Sequence, residues 1–382
     1  MTSDLGPLEA LLGETIGPID RADLVLVRLP FVSPFAISTA VWTTKDALLL
    51  RLEAGGLAAW GECVADPDPF YASETTETAR HILKDFLIPL LEPGLALGEL
   101  ERRMRRVRGH EMARAALENA LLDLIAKRRG MPLHELLGAA RKRIMSGISI
   151  GIQESPRALV SAVEAAVAKR YHRVKMKIQK GKDLEYVRAV RERFPRLPLM
   201  ADANGDYRLE DAGHLARLDA FDLMMIEQPL SYSDVYLHSI LQKSLKTPIC
   251  LDESIHGPDD AVAAVELGAC RILNLKQGRV GGLLESVRIL RFAAARGIPV
   301  WSGGMDETGI GRAVNIHLQT LDGFTLPGDT SETSRYFHED LVEPPVVLDA
   351  EGFIEVPPGD GIGVTVLPER LERRTLRSER LR

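Results

Sequence analysis

Cysteine is scarce: three residues in 382, Cys63, Cys250 and Cys270, with no paired or metal-like spacing. That excludes a disulfide scaffold, and the expectation is three buried free thiols in a reducing cytoplasm. An excess of positive charge is also missing. The formal net charge is -6, from 48 Lys and Arg against 54 Asp and Glu, which removes any electrostatic case for nucleic acid or an anionic membrane as partner. No apolar run approaches the roughly 20 residues that span a bilayer, and the N-terminus lacks a basic start followed by an apolar signal core. The expected compartment is therefore the cytoplasm. The glycines at 303, 304, 309 and 311 do not have phosphate-loop spacing, and no Lys-Ser or Lys-Thr follows them. A content of 45% hydrophobic and 27% charged residues is ordinary for a globular protein. A chain of 382 residues exceeds one small core and suits a barrel with an extra domain.

Between Val174 and Lys276, five short apolar runs each end in charge. Val174 to Ile178 carries Lys175 and Lys177. The others end in Asp202, Glu227, Asp252 and Lys276. They recur about every 25 residues with helical-looking segments between them, the pattern of strands and helices in a parallel sheet. Charge that always falls at the strand end reads as an active-site rim. Taken singly, Asp202 or Asp252 could as well be the N-cap of the next helix. Three carboxylates in succession, bracketed by lysines, point instead to a hard, all-oxygen site suited to Mg²⁺ or another divalent cation such as Mn²⁺. Lys175 and Lys177 share one face of their strand, and a lysine crowded by other cations can serve as a base near neutral pH. A metal with lysines on either side fits removal of a proton alpha to a carboxylate through an enediolate.

The rest of the chain falls into place around that rim. Residues 7–17 alternate as a short amphipathic helix could, within an N-terminal extension of residues 1–19. A strand from Ala22 to Leu29 leads into Pro30-Phe-Val-Ser-Pro-Phe, which two prolines and a serine keep out of regular structure. Ala47–Leu52 and Leu57–Trp60 form a hairpin around Gly55-Gly56. Residues 72–91, 97–106 and 110–129 read as helices, the last stopping at Gly130. Residues 20–140 are thus an α+β capping unit over the mouth of a barrel spanning 141–327. Barrel strands are expected at 147–150 and near 175, 200, 225, 250, 273, 300 and 324, with Ser155 and Pro156 opening the first helix. Phe353–Val356 and Gly363–Leu367 look like a returning strand pair within the segment 328–368. The basic tail, 369–382, is expected to be disordered.

At this point a family resemblance emerges. Lys-Met-Lys at 175–177, Asp202-Ala-Asn204, Glu227-Gln-Pro, Asp252-Glu-Ser and Asn274-Leu-Lys276 resemble the enolase superfamily in its muconate-lactonising branch. Gly109-His-Glu-Met-Ala-Arg-Ala-Ala, Arg279-Val-Gly-Gly, Trp301-Ser-Gly-Gly-Met, Leu326-Pro-Gly-Asp-Thr and Ser334-Arg-Tyr look like the o-succinylbenzoate synthase / N-acylamino acid racemase family. The resemblance covers roughly residues 22–367. It implies a modified (β/α)7β barrel with an α+β cap built from both ends of the chain, the segment 328–368 rejoining it, and a homo-oligomer. It also implies Asp202, Glu227 and Asp252 as metal ligands and Lys177 and Lys276 as acid/base residues. Lys175 becomes a support beside the substrate carboxylate, and Asn204 and Ser149 become polar contacts. The 30–35 loop would be a substrate-selecting lid shaped by Phe31, Phe35 and Ile37; its plain alternative is an ordinary strand connection. Arg279 resembles a position that accompanies racemase activity, the alternative being a salt-bridged surface arginine.

Met305 and Asp306 would lie beside the substrate side chain. The family usually carries an apolar residue where Asp306 stands. An acid there would favour a cation or hydroxyl over an anionic succinyl group, unless it turns away to cap a helix. The implied reaction is dehydration of 2-succinyl-6-hydroxy-2,4-cyclohexadiene-1-carboxylate to o-succinylbenzoate in menaquinone synthesis, racemisation of N-acylamino acids, or both. A dipeptide epimerase or muconate-type cycloisomerase is the alternative, and a non-catalytic metal-binding barrel is the alternative from outside enzymology.

Overall fold

The structure, a computed structural model, describes residues 5–36 and 41–382. Strands β1 (Arg21–Ala36), β2 (Val41–Ala54) and β3 (Leu57–Cys63) form an antiparallel meander. The turn between β2 and β3 places Gly55 and Gly56 at φ 57° and 80°, left-handed values that a two-residue hairpin needs at both corners. Strand periodicity sends alternate side chains into two cores. Val25, Val27, Leu29 and Leu49 join the core shared with the barrel. Leu24, Leu48, Leu50 and Leu52 join a second core under the cap helices α1 (Thr76–Ile82), α2 (Leu97–Met104) and α3 (Glu111–Arg129). Helix α3 is wedged between the sheet and the barrel. Its backbone passes so close to β3 that a Cβ on Gly61 would lie 2.0 Å from the Ala116 carbonyl oxygen.

After α4 (Leu133–Leu136) and β4 (Arg143–Met145), the barrel begins. Its seven parallel strands are β5 (Gly147–Ile150), β6 (Arg173–Lys177), β7 (Leu199–Asp202), β8 (Ile226–Glu227), β9 (Ile249–Leu251), β10 (Ile272–Leu275) and β11 (Val300–Ser302), hydrogen-bonded in that order. Helices α5 (Pro156–Ala168), α6 (Asp183–Arg193), α7 (Ala212–Leu215), α8 (Tyr236–Gln242), α9 (Pro258–Glu266), α10 (Gln277–Val280) and α11 (Leu283–Ala295) lie between successive strands. Helix α12 (Gly309–Gln319) follows β11. Ser155 caps α5 by accepting from the Ala158 N–H, with Pro156 at its first position.

The eighth strand expected near 324 is an extended segment bonded on both sides. Thr325 N–H donates to Val300 O at 3.1 Å and Asp329 N–H to Ser302 O at 2.8 Å, while Gly328 O accepts from Gly147 N–H at 2.7 Å. The ring closes, as a TIM-like barrel requires. Met200, Met225, Cys250, Ile272 and Trp301 pack as a separate apolar cluster drawn from successive strands. All three cysteines are buried free thiols.

Cap and barrel share more than apolar contact. Glu62 on β3 accepts from the Thr308 and Gly311 N–H groups at the start of α12. Glu118 on α3 accepts from Leu284 N–H at the start of α11. Both carboxylates satisfy amides that a helix start leaves without partners.

Several expectations need correction. Residues 7–17 contain a 3₁₀ helix, Gly6–Gly13. The helix expected over 72–91 is α1 followed by a π turn (Leu83–Leu87) and a 3₁₀ turn (Ile88–Leu90), because Pro89 lacks an N–H to donate. The 30–35 segment is part of β1. Its register to β2 shifts between Pro30 and Phe35, so the prolines produce an irregularity without ending the strand. Ile37 lies outside the described residues. The returning segments do not pair with each other. Strand β13 (Phe353–Glu355) pairs with β4, and β14 (Thr365–Val366) pairs with β12 (Val342–Glu343).

The tail expected to be disordered folds as helix α13 (Pro368–Arg374) and strand β15 (Thr375–Arg380). That strand covers the free edge of β1 from Asp23 to Val27. Several of its exposed charges are paired: Glu379 with Arg80 and Lys84, and Arg380 with Asp23. An open edge needs backbone partners, and composition alone does not reveal that need. Among the described residues no helix is long and apolar enough to cross a membrane.

Candidate active site

Because each strand turns outward at the same end of the ring, its final residue faces the cap. Lys175 and Lys177 on β6, Asp202 on β7, Glu227 on β8, Asp252 after β9 and Lys276 after β10 stand side by side. All six are largely buried. One cavity is lined by Lys175, Lys177, Asn204 and Lys276 from the barrel and by Ser149, Met305 and Asp306. Phe31, Phe35, Trp42, Lys45, Asp66 and Tyr71 of the cap complete its wall. Phe31 stacks on Phe337 at 5.7 Å, which ties the expected lid to the segment that follows the barrel. Asn204, Gln228 and Asp306 take φ values of 44°, 39° and 55°. Left-handed backbone in non-glycine residues is costly and tends to collect at functional sites.

The two lysines of interest have distinct settings. Lys177 Nζ lies 2.6 Å from both Asp202 Oδ2 and Asn204 Oδ1. Lys276 Nζ lies 2.9 Å from Asp252 Oδ2 and 2.8 Å from the Tyr71 hydroxyl. Burial pulls Lys276 down, but Asp252 outweighs it and holds the ammonium above the ordinary lysine range. Lys175 behaves alike: burial is opposed by Asp329, Glu227 and Asp202, and the result lies well above the usual value. For Lys175 and Lys276, direct contact with carboxylates sets the direction of the shift.

The carboxylates are unequal. Burial raises Asp252, yet Arg279 and Lys276 overcome it and hold it below the usual range. Burial and then the charge of Asp202 push Glu227 well up. Among the described residues no three His, Cys, Asp or Glu side chains converge as a ready-made metal cage. The acids turn to Lys175, Lys177, Lys276, Arg279 and Asn274 instead. The donor chemistry nevertheless fits a hard cation. Three buried carboxylates on neighbouring strand ends repel one another, and Asn274 Oδ1 and Glu253 Oε2 are buried with no hydrogen-bond partner among the described residues. Added positive charge would relieve both strains.

Arg279 is not a surface residue. Its guanidinium is buried, bonding Ile255 O at 2.8 Å, Asn274 O at 2.9 Å and Asp252 Oδ1. Ser149 lines the cavity with a buried hydroxyl that has no partner among the described residues.

Residues 158–370 match the family described as enolase C-terminal domain-like, and residues 21–138 match the mandelate racemase / muconate lactonizing enzyme N-terminal domain. The chain belongs to the enolase superfamily. It is 48% identical to an o-succinylbenzoate synthase of Geobacillus kaustophilus over 352 residues, 91% of this chain and 94% of that protein. An N-succinylamino acid racemase of Thermus thermophilus is 45% identical over 361 residues, 94% and 97% of the two chains. The solved structure of an enolase superfamily member from Listeria innocua matches with a TM-score of 0.92 and 40% identity, covering 97% of this chain and all of that one. This superfamily member is therefore an enzyme of the synthase/racemase group.

Sequence reasoning misses several residues of this enolase-superfamily site. Tyr71 comes from a cap loop and reaches Lys276 and Arg279; nothing in its neighbourhood advertises the role. Asn274 donates to Glu227 Oε1 at 2.7 Å, and its place two residues before Lys276 on an inward-facing strand is a signal that period-2 reasoning can find. Glu253 accepts from Asn204 at 2.7 Å. Asp329, which an epimerase would need for a substrate ammonium, is taken by Arg173 at 2.7 Å and Lys175 at 2.8 Å.

Proposed function

We propose that the protein abstracts the proton alpha to the carboxylate of a small-molecule substrate, and that its main reaction is racemisation of N-acylamino acids. The observation that carries this reading is the placement of Lys177 and Lys276. They stand on β6 and just after β10, with the three carboxylates on the strands between them, and both line one cavity. A planar carbanion held there would meet a nitrogen base on either side. Asp202, Glu227 and Asp252 are the residues that would hold Mg²⁺. Bound there, the cation would supply positive charge for the developing dianion and occupy the Asp252 charge that otherwise holds the Lys276 ammonium above its ordinary range.

The proton accounting is simple. One lysine removes the alpha proton of one enantiomer, and the other, as ammonium, returns a proton to the opposite face; the mirror substrate exchanges the roles. Asn204 and Asp202 orient Lys177, while Asp252 and Tyr71 orient Lys276. Lys175, held between Asp202, Glu227 and Asp329, stays cationic beside the substrate carboxylate. The cap walls exclude water from the anion.

Formation of o-succinylbenzoate is the second reading, favoured by the 48% identity to a synthase of that name. There Lys177 would take the ring proton, the neighbouring hydroxyl would depart and leave with a proton as water, and Lys276 would remain an ammonium beside the developing charge. Engagement of Asp329 by Arg173 and Lys175 weighs against a dipeptide epimerase.

The test is hydrogen–deuterium exchange in D₂O with Mg²⁺, using N-acetyl and N-succinyl amino acids of both hands and the dehydration substrate in parallel. Exchange of both hands is expected from wild type; Lys177→Ala and Lys276→Ala should each lose racemisation, and each should slow by about 10²–10⁴-fold the exchange of only the hand whose proton that lysine removes. Dehydration without exchange would transfer the main reaction to the second reading. Silence in every assay would overturn both.

A further inference from the structure

Asp306 is a charged residue in the wall of the substrate cavity with nothing to hold. Its carboxylate lines the cavity but makes no hydrogen bond or ion pair with any described residue. Helix capping does not employ it. Helix α12 is capped by Thr308, whose side chain accepts from Ile310 N–H, and by Glu62 from the cap. The adjacent Glu307 turns inward to accept from Met305 N–H at 3.0 Å and Asn315 at 2.8 Å. The left-handed backbone at Asp306, φ 55°, sets the two neighbouring acids apart, one into the fold and one into the cavity.

The surrounding charges do not satisfy it. Lys45 is committed to Asp66 at 2.9 Å and to Val64 O at 3.4 Å. Arg335, the other cation in electrostatic reach, donates to Ser149 O and lies over the Tyr336 ring. Burial raises the Asp306 pKa, with Lys45 opposing it. Phe31, Phe35 and Tyr336 provide the apolar and aromatic remainder of this wall. An unpaired carboxylate among rings is a receptor for a cation whose stem is apolar.

We propose that Asp306 is the specificity determinant of the site and selects N-acylamino acids whose end remote from the carboxylate is an ammonium or guanidinium group. This rests on the alpha-proton chemistry above and names its substrate class. An anionic acyl chain brought to the same wall meets like charge and is disfavoured. Lys177 and Lys276 act on the alpha carbon in the same way for either substrate, so the acid changes which molecule is held there and leaves the reaction alone.

The experiment compares Nα-acetyl-arginine, Nα-acetyl-lysine, N-acetyl-methionine and N-succinyl-methionine with Mg²⁺, on wild type, Asp306→Asn and Asp306→Leu. Alpha-proton exchange and calorimetric binding are both read. Asparagine tolerates the left-handed backbone that strains leucine, so the Asn variant keeps the test valid if the Leu variant folds poorly. Wild type is expected to prefer the cationic compounds. Loss of the charge should lower the ratio of kcat/KM for Nα-acetyl-arginine over N-succinyl-methionine by about tenfold to a hundredfold, the range for one partly desolvated ion pair. A ratio unchanged within about twofold would overturn the proposal while leaving the proton chemistry intact. If no compound exchanges in any variant, the chemistry fails instead. Binding then decides the specificity: Nα-acetyl-arginine should bind wild type more tightly than Asp306→Asn, and equal affinities would sink it.

Discussion

Replacing Tyr71 with Phe removes one oxygen and leaves the ring in place. That oxygen accepts from Lys276 Nζ at 2.8 Å and from Arg279 at 3.3 Å, and donates to Asp252 Oδ2 across 3.5 Å. The Lys276 ammonium also sits 4.8 Å from the ring centroid, a contact that phenylalanine keeps. Burial and Asp252 push the hydroxyl up to about 12, so at neutral pH the group lost is a phenol and net charge does not change. A hydrogen bond to a charged group contributes about 1.5–3 kcal/mol. Asp252 remains 2.9 Å from Lys276, which places the cost near the lower bound. About 1.5 kcal/mol corresponds to roughly a tenfold slower step wherever Lys276 moves the proton. The assay is initial-rate loss of the alpha proton in D₂O, followed separately for each enantiomer. The hand whose proton is taken by Lys276 should slow about tenfold, while the hand served by Lys177 changes little. Equal slowing of both hands, accompanied by a matching fall in Tm, would show a purely structural role and refute the argument. Unchanged rates for both would refute it as well.

Two further outcomes follow from the same geometry. Chelation with EDTA should abolish exchange and lower Tm, and Mg²⁺ at about 100 times its Kd should restore about 2.7 kcal/mol of stability; Asp252→Asn should show little response, and a Mg²⁺ shift equal to wild type would exclude Asp252 as a ligand. Burial and then Glu101 push Glu118 up to about 8, against about 4.3 in an unfolded chain. The folded state keeps that proton longer, so the stability it contributes is full below about pH 4.3 and is lost as pH rises through about 8. Glu118→Gln should flatten the fall in urea midpoint between pH 5.5 and 8.5, and parallel profiles would contradict the assignment.

The rim was legible because every strand of a parallel barrel presents its last residue to the same side. Lys177, Asp202, Glu227, Asp252 and Lys276 could be read in order from one periodic pattern. Tyr71 could not, since it is brought to Lys276 by docking of the cap on the barrel, and no local pattern encodes a contact across that distance in sequence. Asp306 lay between these cases. The sequence marked it as an acid beside the substrate, but only the capping of α12 by Thr308 and Glu62 shows that it has no structural employment. The tail was misread for a related reason. Thr375–Arg380 is polar and charged, and what orders it is the open edge of β1, a feature belonging to the other end of the chain.

That ladder has a kinetic consequence. Asp23 pairs with Arg380, so the whole barrel is enclosed between two strands of one small sheet. Bringing such distant segments together carries a large loop-closure cost until the intervening chain has condensed. The β1–β15 ladder is therefore expected to close late in refolding, once the intervening chain has condensed. Fraying of β15 would bare the Asp23–Val27 edge of the same strand that, further along, carries Phe31 and Phe35 into the cavity wall.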